Sequence, residues 1–502
     1  MNTYDVIVVG AGNGGLVAAT EVAKAGLKTL LLEKHNLPGG CATSFVRGRF
    51  EFEPSLHELC SESSSPKLTS VSDLFRDLGV DVPLVYEDTL FRAIVRGEDG
   101  YDVVLKAGKE AFLDSMEAAV PGCRASVEAF LDLIEPIDDA QIDMNENGLN
   151  PVKLFKEHGD FLRAASHSAD ELMAELGVPE DAQHLLNTYW GYLGVPTDEL
   201  NGLHYLSMLV SYIYGHPSMP KYRSHEISLG LIKAFQSYGG EVRYNSEVTR
   251  FLYNGKHECI GVVAGGKVLY AKKIISNVIP NNVFNRSDNR HISPRSRKLA
   301  NARKMGMSVA TVYLGLDCTM EELGVTDYSV FVMKDKEPRT QYNERQNFGF
   351  YIVNCLNKVL PDCTPAGTCT LFFTAPFFPG DLPEDLTPET YKKFKNDFAE
   401  KHIRDYEQVM AMSIIPHIEE ISIATPVTFA RYLGTPGGTI YGYASEGWDN
   451  IIARTALKDM DYDTKNLYFC GGHYIRGDGY PSGYLTGHMA AEEVIEALKE
   501  GK

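Results

Sequence analysis

The chain has no excess of basic residues, no long apolar run and no paired-cysteine pattern, and each shortage removes a class of function. Lys and Arg total 48 against 67 Asp and Glu, a formal charge of −19. No basic face is therefore available for a phosphate backbone, and nucleic acid is excluded as a partner. The acidic balance itself reports mainly solubility. No apolar stretch approaches the roughly 20 residues that a spanning helix needs. Residues 4–9 already read as a nucleotide-domain strand, which leaves no room for a secretory leader and points to the cytoplasm. The nine cysteines are odd in number and include no C-x-x-C pair. They read as reduced, mostly buried thiols, not as a disulfide frame, a zinc site or a redox dithiol, and no metal is expected. Internal repeats and low-complexity tracts are absent. So is a second complete G-x-G-x-x-G unit, which argues against a stable, separate NAD(P)H domain. At 502 residues the chain exceeds one simple core, so two interleaved domains are expected.

What the chain does have begins at once. An apolar strand over residues 4–9 leads into Gly10-x-Gly12-x-x-Gly15. In a βαβ unit the first glycine makes the tight turn, the second lets a pyrophosphate approach bare backbone, and the third lets the helix pack closely on the strand. The helix N-terminus then offers free N–H groups and a favourable dipole to the phosphates. Leu16, Ala19, Val22 and Ala23 continue the helical stripe until Gly26, and residues 28–33 read as the second parallel strand. Glu33 ends that strand about 20 residues past the glycines, where a carboxylate accepts the hydroxyls of an unphosphorylated ribose. Gly39-Gly40 follows. The residues expected against the cofactor here are Gly10, Gly12, Asn13, Gly14, Gly15, Glu33, Lys34, Gly39, Gly40, Thr43 and Ser44.

A second contact region near the C-terminus favours FAD over NAD. A short strand over residues 466–470 meets a Gly-rich junction running from Gly471 to Gly483, and an amphipathic helix is expected over residues 484–498. Such a junction presents backbone donors to an anion or to the edge of a flavin ring. Gly472, Asp478, Gly479, Tyr480 and Pro481 are the expected contacts. Cys41 and Cys470 read as structural thiols, so the FAD is expected to be held noncovalently.

Taken together, four stretches resemble the phytoene desaturase-like flavoproteins, the family that also holds carotenoid isomerases and retinol saturase. They are the N-terminal fingerprint, the run Pro38-Gly39-Gly40-Cys41-Ala42-Thr43-Ser44-Phe45 with Phe50-Glu51-Phe52-Glu53, the segment Ile274-Ile275-Ser276-Asn277-Val278-Ile279-Pro280, and the C-terminal junction. The chain departs from the family at residues 54–60 and in carrying His473, Arg476 and Asp478. The resemblance implies an α/β fold in which a Rossmann-type FAD-binding domain of the glutathione reductase kind is interleaved with a mixed α+β substrate domain. It also implies that the backbone near Val248 meets the adenine. The expected division gives residues 1–85, 225–285 and 455–502 to the FAD domain, and 86–224 with 286–454 to the substrate domain, the first of these largely helical. Within the FAD domain, residues 228–237 read as a helix with Leu229, Ile232 and Phe235 on one side. Asn254-Gly255 and Gly265-Gly266 mark hairpin turns of a three-stranded meander ahead of a parallel strand over residues 274–277.

For substrate, the stretch around Tyr189, Trp190, Tyr205, Met208 and Tyr212 is rich in rings and Met, which suits a long apolar ligand; an ordinary buried helix is the competing reading. Flavin chemistry at C=C or C–H bonds needs hydride transfer at N5 and a proton donor or acceptor across the substrate. The candidates are His57, Glu58, His473 and Asp478, with Arg476 placed to pair a substrate carboxylate or to lock Asp478. The expected activity is that of an FAD-dependent desaturase, saturase or isomerase of an extended unsaturated substrate such as a polyene or lipid. NAD(P)H is open as a transient electron donor or acceptor. An amine-oxidase-like flavoprotein and a non-catalytic FAD-stabilised lipid carrier stand as alternatives. A weak peripheral membrane contact and the oligomeric state stay open.

Overall fold

The computed structural model describes residues 3–475, 477 and 479–501, and they form two seven-stranded sheets. The first sheet is centred on Thr3–Val9, flanked by Thr29–Leu32 and then Glu241–Arg243 on one side. On the other side lies Lys267–Ser276, which also pairs with Leu467–Phe469. These five strands run parallel. Tyr4, Val6, Ile7, Val8 and Val9 are all buried, as a parallel strand covered on both faces requires. Val6 and Val8 pack under the helices Asn13–Lys24 and Gly479–Lys499, while Ile7 and Val9 face the meander side.

The register brings the strand ends together. Val9 stands opposite both Leu32 and Ser276, and Ser276 opposite Phe469. The segments that follow, Gly10 to Gly12, Glu33, Asn277 and Gly471, therefore meet at one edge, where open parallel sheets bind their ligands.

Three local expectations change. Residues 267–270 and 274–277 are not separate strands. Lys267–Ser276 is continuous, antiparallel to Cys259–Ala264 at its start and parallel to Thr3–Val9 beyond. The two lysines in the middle of this strand are accommodated: Lys272 pairs with Asp5 at 2.7 Å, and buried Lys273 donates to Asn466 Oδ1 at 2.6 Å. The helix Ser224–Ser237 buries Ile227, Leu231 and Phe235, whereas Leu229 is exposed. The last helix begins at Gly479, five residues earlier than expected.

The second sheet runs in the order Ile418–Ala424, Ser308–Leu316, Cys369–Phe377, Phe350–Asn354, Ser329–Met333, Thr89–Val95, Tyr101–Lys106. Its side chains alternate between two cores with the period of two that strands impose. Val330, Val332, Tyr351 and Val353 pack beneath the long helix Pro388–Met410. Phe331, Met333, Phe350 and Ile352 turn to the other face, where short helices spanning residues 109–215 are stacked. The helix Gly202–Gly215 belongs to that layer.

Candidate functional site

A cavity of about 1240 Å³ begins at the edge where the parallel strands end and continues between the second sheet and its helical layer. At the dinucleotide end the wall is backbone. The helix Asn13–Lys24 starts at Gly12 without a side-chain cap, so its first N–H groups are open to a ligand. A Cβ on Gly12 would lie 2.7 Å from the Asn277 side chain, and one on Gly14 2.9 Å from both Gly471 N and Gly483 O. Gly15 does not line the cavity; its Cβ would sit 1.9 Å from Gly10 O, so its place is the strand–helix contact. Glu33 is buried, with Oε2 accepting from Ala11 N at 2.7 Å and Oε1 from His35 N at 2.8 Å. Both oxygens keep further acceptor capacity, and the residue lines the cavity. Asn13 Oδ1 is buried with no donor. Bare backbone, an uncapped helix end, a fixed carboxylate and an orphaned amide oxygen together fit a dinucleotide cofactor.

The C-terminal junction joins the same wall. Gly471, Gly472, Gly479, Tyr480, Pro481 and Gly483 line the cavity. The Tyr480 hydroxyl donates to Cys41 O at 2.9 Å and lies 3.1 Å from Ser55 Oγ. Further along the last helix a Cβ on Gly487 would be 2.3 Å from Gly14 O. The first and last helices therefore touch backbone to backbone, and both open their N-termini on the cavity. Arg476 and Asp478 lie outside the described residues.

Of the other expected cofactor contacts, Gly10, Lys34, Gly39, Gly40 and Val248 line the cavity. Thr43 and Ser44 do not: Thr43 Oγ1 donates to Pro38 O and Ser44 Oγ to Glu51, which turns both hydroxyls into their own loop. Cys41 lines the wall, but burial pushes its thiol up to about 11.

Beyond the glycines the wall becomes side chains. His57 is half-buried, with Nε2 3.1 Å from Thr374 Oγ1, and desolvation pushes it down to about 4, which favours the neutral ring. His473 is pushed down to about 3 by burial and by the nearby Arg454 and Arg303 guanidiniums, which are held in a buried network with Asp449. Burial thus disfavours the imidazolium form of both rings. Glu58 differs. Tyr189 donates to its Oε2 at 3.0 Å, its Oε1 is buried with no donor, and burial pushes its carboxyl up to about 8.

The expected substrate residues divide. Met208 and Tyr212 line the cavity, together with Tyr192, whose ring stacks on Tyr189 at 4.9 Å. Trp190 faces away: its indole N–H donates to Gln341 Oε1 at 2.6 Å and its ring packs on Phe350. Tyr205 is a core residue bonded to Leu186 O. Tyr189 is off the wall and meets the site through Glu58 and through the rings of Tyr192 and Tyr212. Tyr192 belongs to the ring-rich stretch read from the sequence, whereas Asn277 and Thr374 are wall residues that were not among the expected contacts. Asn277 had a signal, since it follows a strand at the ligand-binding edge.

The residues 8–78 match the family described as an NAD(P)-binding Rossmann-like domain. The chain is 24% identical to all-trans-retinol 13,14-reductase of Danio rerio, over 98% of this chain and 86% of that protein. It is 24% identical to chloroplastic prolycopene isomerase of Daucus carota, over 99% of this chain and 80% of the relative. A solved oxidoreductase from Methanosarcina mazei shares the fold with a TM-score of 0.66 at 15% identity, covering 97% of this chain and 99% of that one. Fold and site thus define a two-sheet oxidoreductase with a Rossmann-type domain for a flavin or dinucleotide. Within that class, the chain is similar in sequence along nearly its whole length to the retinol reductase and the prolycopene isomerase named above.

Proposed function

We propose that the chain is an FAD-dependent oxidoreductase that saturates, desaturates or isomerises the C=C and C–C bonds of an extended, apolar, unsaturated small molecule. One observation carries this reading: a single cavity joins the glycine-built dinucleotide wall to a chamber of rings that holds a buried acid. Bound FAD would supply hydride transfer to or from its N5. Gly12, Gly14 and the first helix end would receive the pyrophosphate, Glu33 the ribose and Val248 the adenine, with the binding noncovalent. Tyr192, Met208 and Tyr212 enclose the apolar chain and exclude water, which suits the polyene-acting relatives by their names. Glu58 is read as the group that exchanges a proton with substrate, because its carboxyl lines the cavity beside Tyr192 and Tyr212 and burial pushes it up to about 8.

NAD(P)H is read as a transient electron partner, and residues 1–85, 225–285 and 455–502 as the FAD domain. Nine free thiols support a cytoplasmic location. Among the described residues no helix is long and apolar enough to cross a membrane. A weak peripheral membrane contact is supported by Leu149 at the cavity edge and by Val152 and Phe155, 63% and 80% exposed, on the short helix beside it.

The test is anaerobic. Flavin-loaded protein is incubated, oxidised or dithionite-reduced, with all-trans-retinol or a polyene extract, while flavin absorbance and product mass are followed. Flavin redox change or isomerised product is the expected result. Lipid that is bound and recovered unchanged, with the flavin spectrum static in both states, would instead assign the chain as a carrier.

A further inference from the structure

A polar row crosses the chamber wall. Thr311 and Thr374 stand opposite each other on adjacent strands of the second sheet, and their Oγ1 atoms are 3.2 Å apart. Thr374 Oγ1 is in turn 3.1 Å from His57 Nε2. All three residues line the cavity, where Met307, Val309 and Tyr192 beside them offer apolar and ring surface. The segment that carries the imidazole is pinned by two tyrosines. Tyr313 donates its hydroxyl to Pro54 O, Tyr328 donates to His57 O, and the His57 ring packs on Phe372 at 5.4 Å.

The row has an open end. A neutral imidazole has one donor and one acceptor nitrogen, and desolvation, which pushes His57 down to about 4, favours that neutral form. Nε2 faces Thr374. Among the described residues Nδ1 has no hydrogen-bond partner, and it is not one of the atoms sealed inside the protein, so its free edge belongs to the cavity that the ring lines. When Thr374 donates to Nε2, Nδ1 carries the ring proton; when Nε2 donates, Nδ1 is the acceptor. A hydroxyl group answers both cases, because it donates and accepts. A hydrocarbon answers neither and leaves a desolvated polar nitrogen unpaired. The place of the row matters as well. Ser55, two residues before His57, has its Oγ 3.1 Å from the Tyr480 hydroxyl, so the row stands at the end of the chamber that adjoins the C-terminal junction.

We propose that His57, backed by Thr374 and Thr311, is the specificity-determining contact for a hydroxyl group on the substrate, which makes the ligand an unsaturated alcohol and not a bare hydrocarbon polyene. This subsite rests on the proposed use of the chamber for substrate, but it requires no turnover, so binding alone tests it.

Flavin-loaded protein is titrated anaerobically with all-trans-retinol and with the hydrocarbon of the same skeleton in which hydrogen replaces the hydroxyl. Both are delivered from the same detergent micelles, and binding is read by quenching of protein fluorescence. Partition between water and micelle is common to wild type and variants, so it cancels when they are compared. His57→Phe is expected to weaken retinol by about tenfold or more, and Thr374→Val by about threefold to tenfold, while the hydrocarbon changes by less than about twofold in either. Equal losses for both ligands, or no loss for either, would overturn the subsite; should one variant fail to fold, the other decides. A wild type that binds neither ligand would remove the chamber reading and the subsite together. A static flavin with the selective loss intact would instead remove the chemistry and keep the subsite.

Discussion

The two ends of the cavity are built from different material. At the dinucleotide end the determinants are glycines, two helix N-termini and one carboxylate locked by backbone N–H groups. In the chamber they are rings and a buried acid held by other side chains. The first kind of site is specified by local chain geometry and leaves little freedom for substitution. The second is specified by packing between distant segments, so it can change its ligand while the cofactor end stays constant.

The sharpest way to break this comparison is Gly15→Ala. A methyl 1.9 Å from Gly10 O forces the helix off its strand. Purified protein is expected to lose its flavin, read as the ratio of visible to ultraviolet absorbance; a yellow, folded variant would show that the turn is not rigid. Next is Glu58→Gln, which keeps size and removes titration. Turnover should fall by about 10²–10⁴-fold with flavin retained. The sign of the pH dependence follows from the raised value near 8. The neutral acid persists below it and is lost as pH rises through it, so the wild-type saturation rate should drop on the alkaline side, and this limb should vanish in the variant.

Glu33→Gln tests the other end. Loss of charge-assisted ribose bonds, worth about 1.5–3 kcal/mol each, should weaken FAD binding to the apoprotein by about tenfold or more. Turnover at saturating FAD should stay near wild type, since Glu33 lies away from the chamber. The smallest effect is expected for Tyr212→Phe. The ring stays and the bond from its hydroxyl to Glu58 O, 3.2 Å long, is removed. A loss of about 1 kcal/mol, near fivefold in apparent retinol affinity, should leave the flavin spectrum unchanged.

The same contrast explains what was legible in the sequence. Gly10, Gly12, Glu33 and Gly39-Gly40 follow one another within a single βαβ unit, so spacing alone places them. Tyr189, Trp190 and Tyr192 lie within four residues, yet only Tyr192 reaches the cavity. The helix Trp190–Leu193 is a single turn and offers no period from which to read a face. Leu229 misled for a related reason: it shares a spacing with Ile232, but the packed stripe runs through Ile227, Leu231 and Phe235. The strand Lys267–Ser276 holds Lys272 and Lys273 at its middle through Asp5 and Asn466, partners remote in the chain, so its continuity is not visible from local sequence.

The backbone contact between Gly14 and Gly487 also sets an order of events during synthesis. The fingerprint is made before the helix that covers it, which comes about 470 residues later. At about 5–20 residues per second, the nascent chain spends roughly half a minute to a minute and a half with its phosphate-binding turn uncovered. Until the last helix docks, the N-terminal strand, turn and helix lack one wall of their core, and the cavity lacks the junction that completes it. A site that needs this junction is therefore complete only once the last helix has been made and has docked.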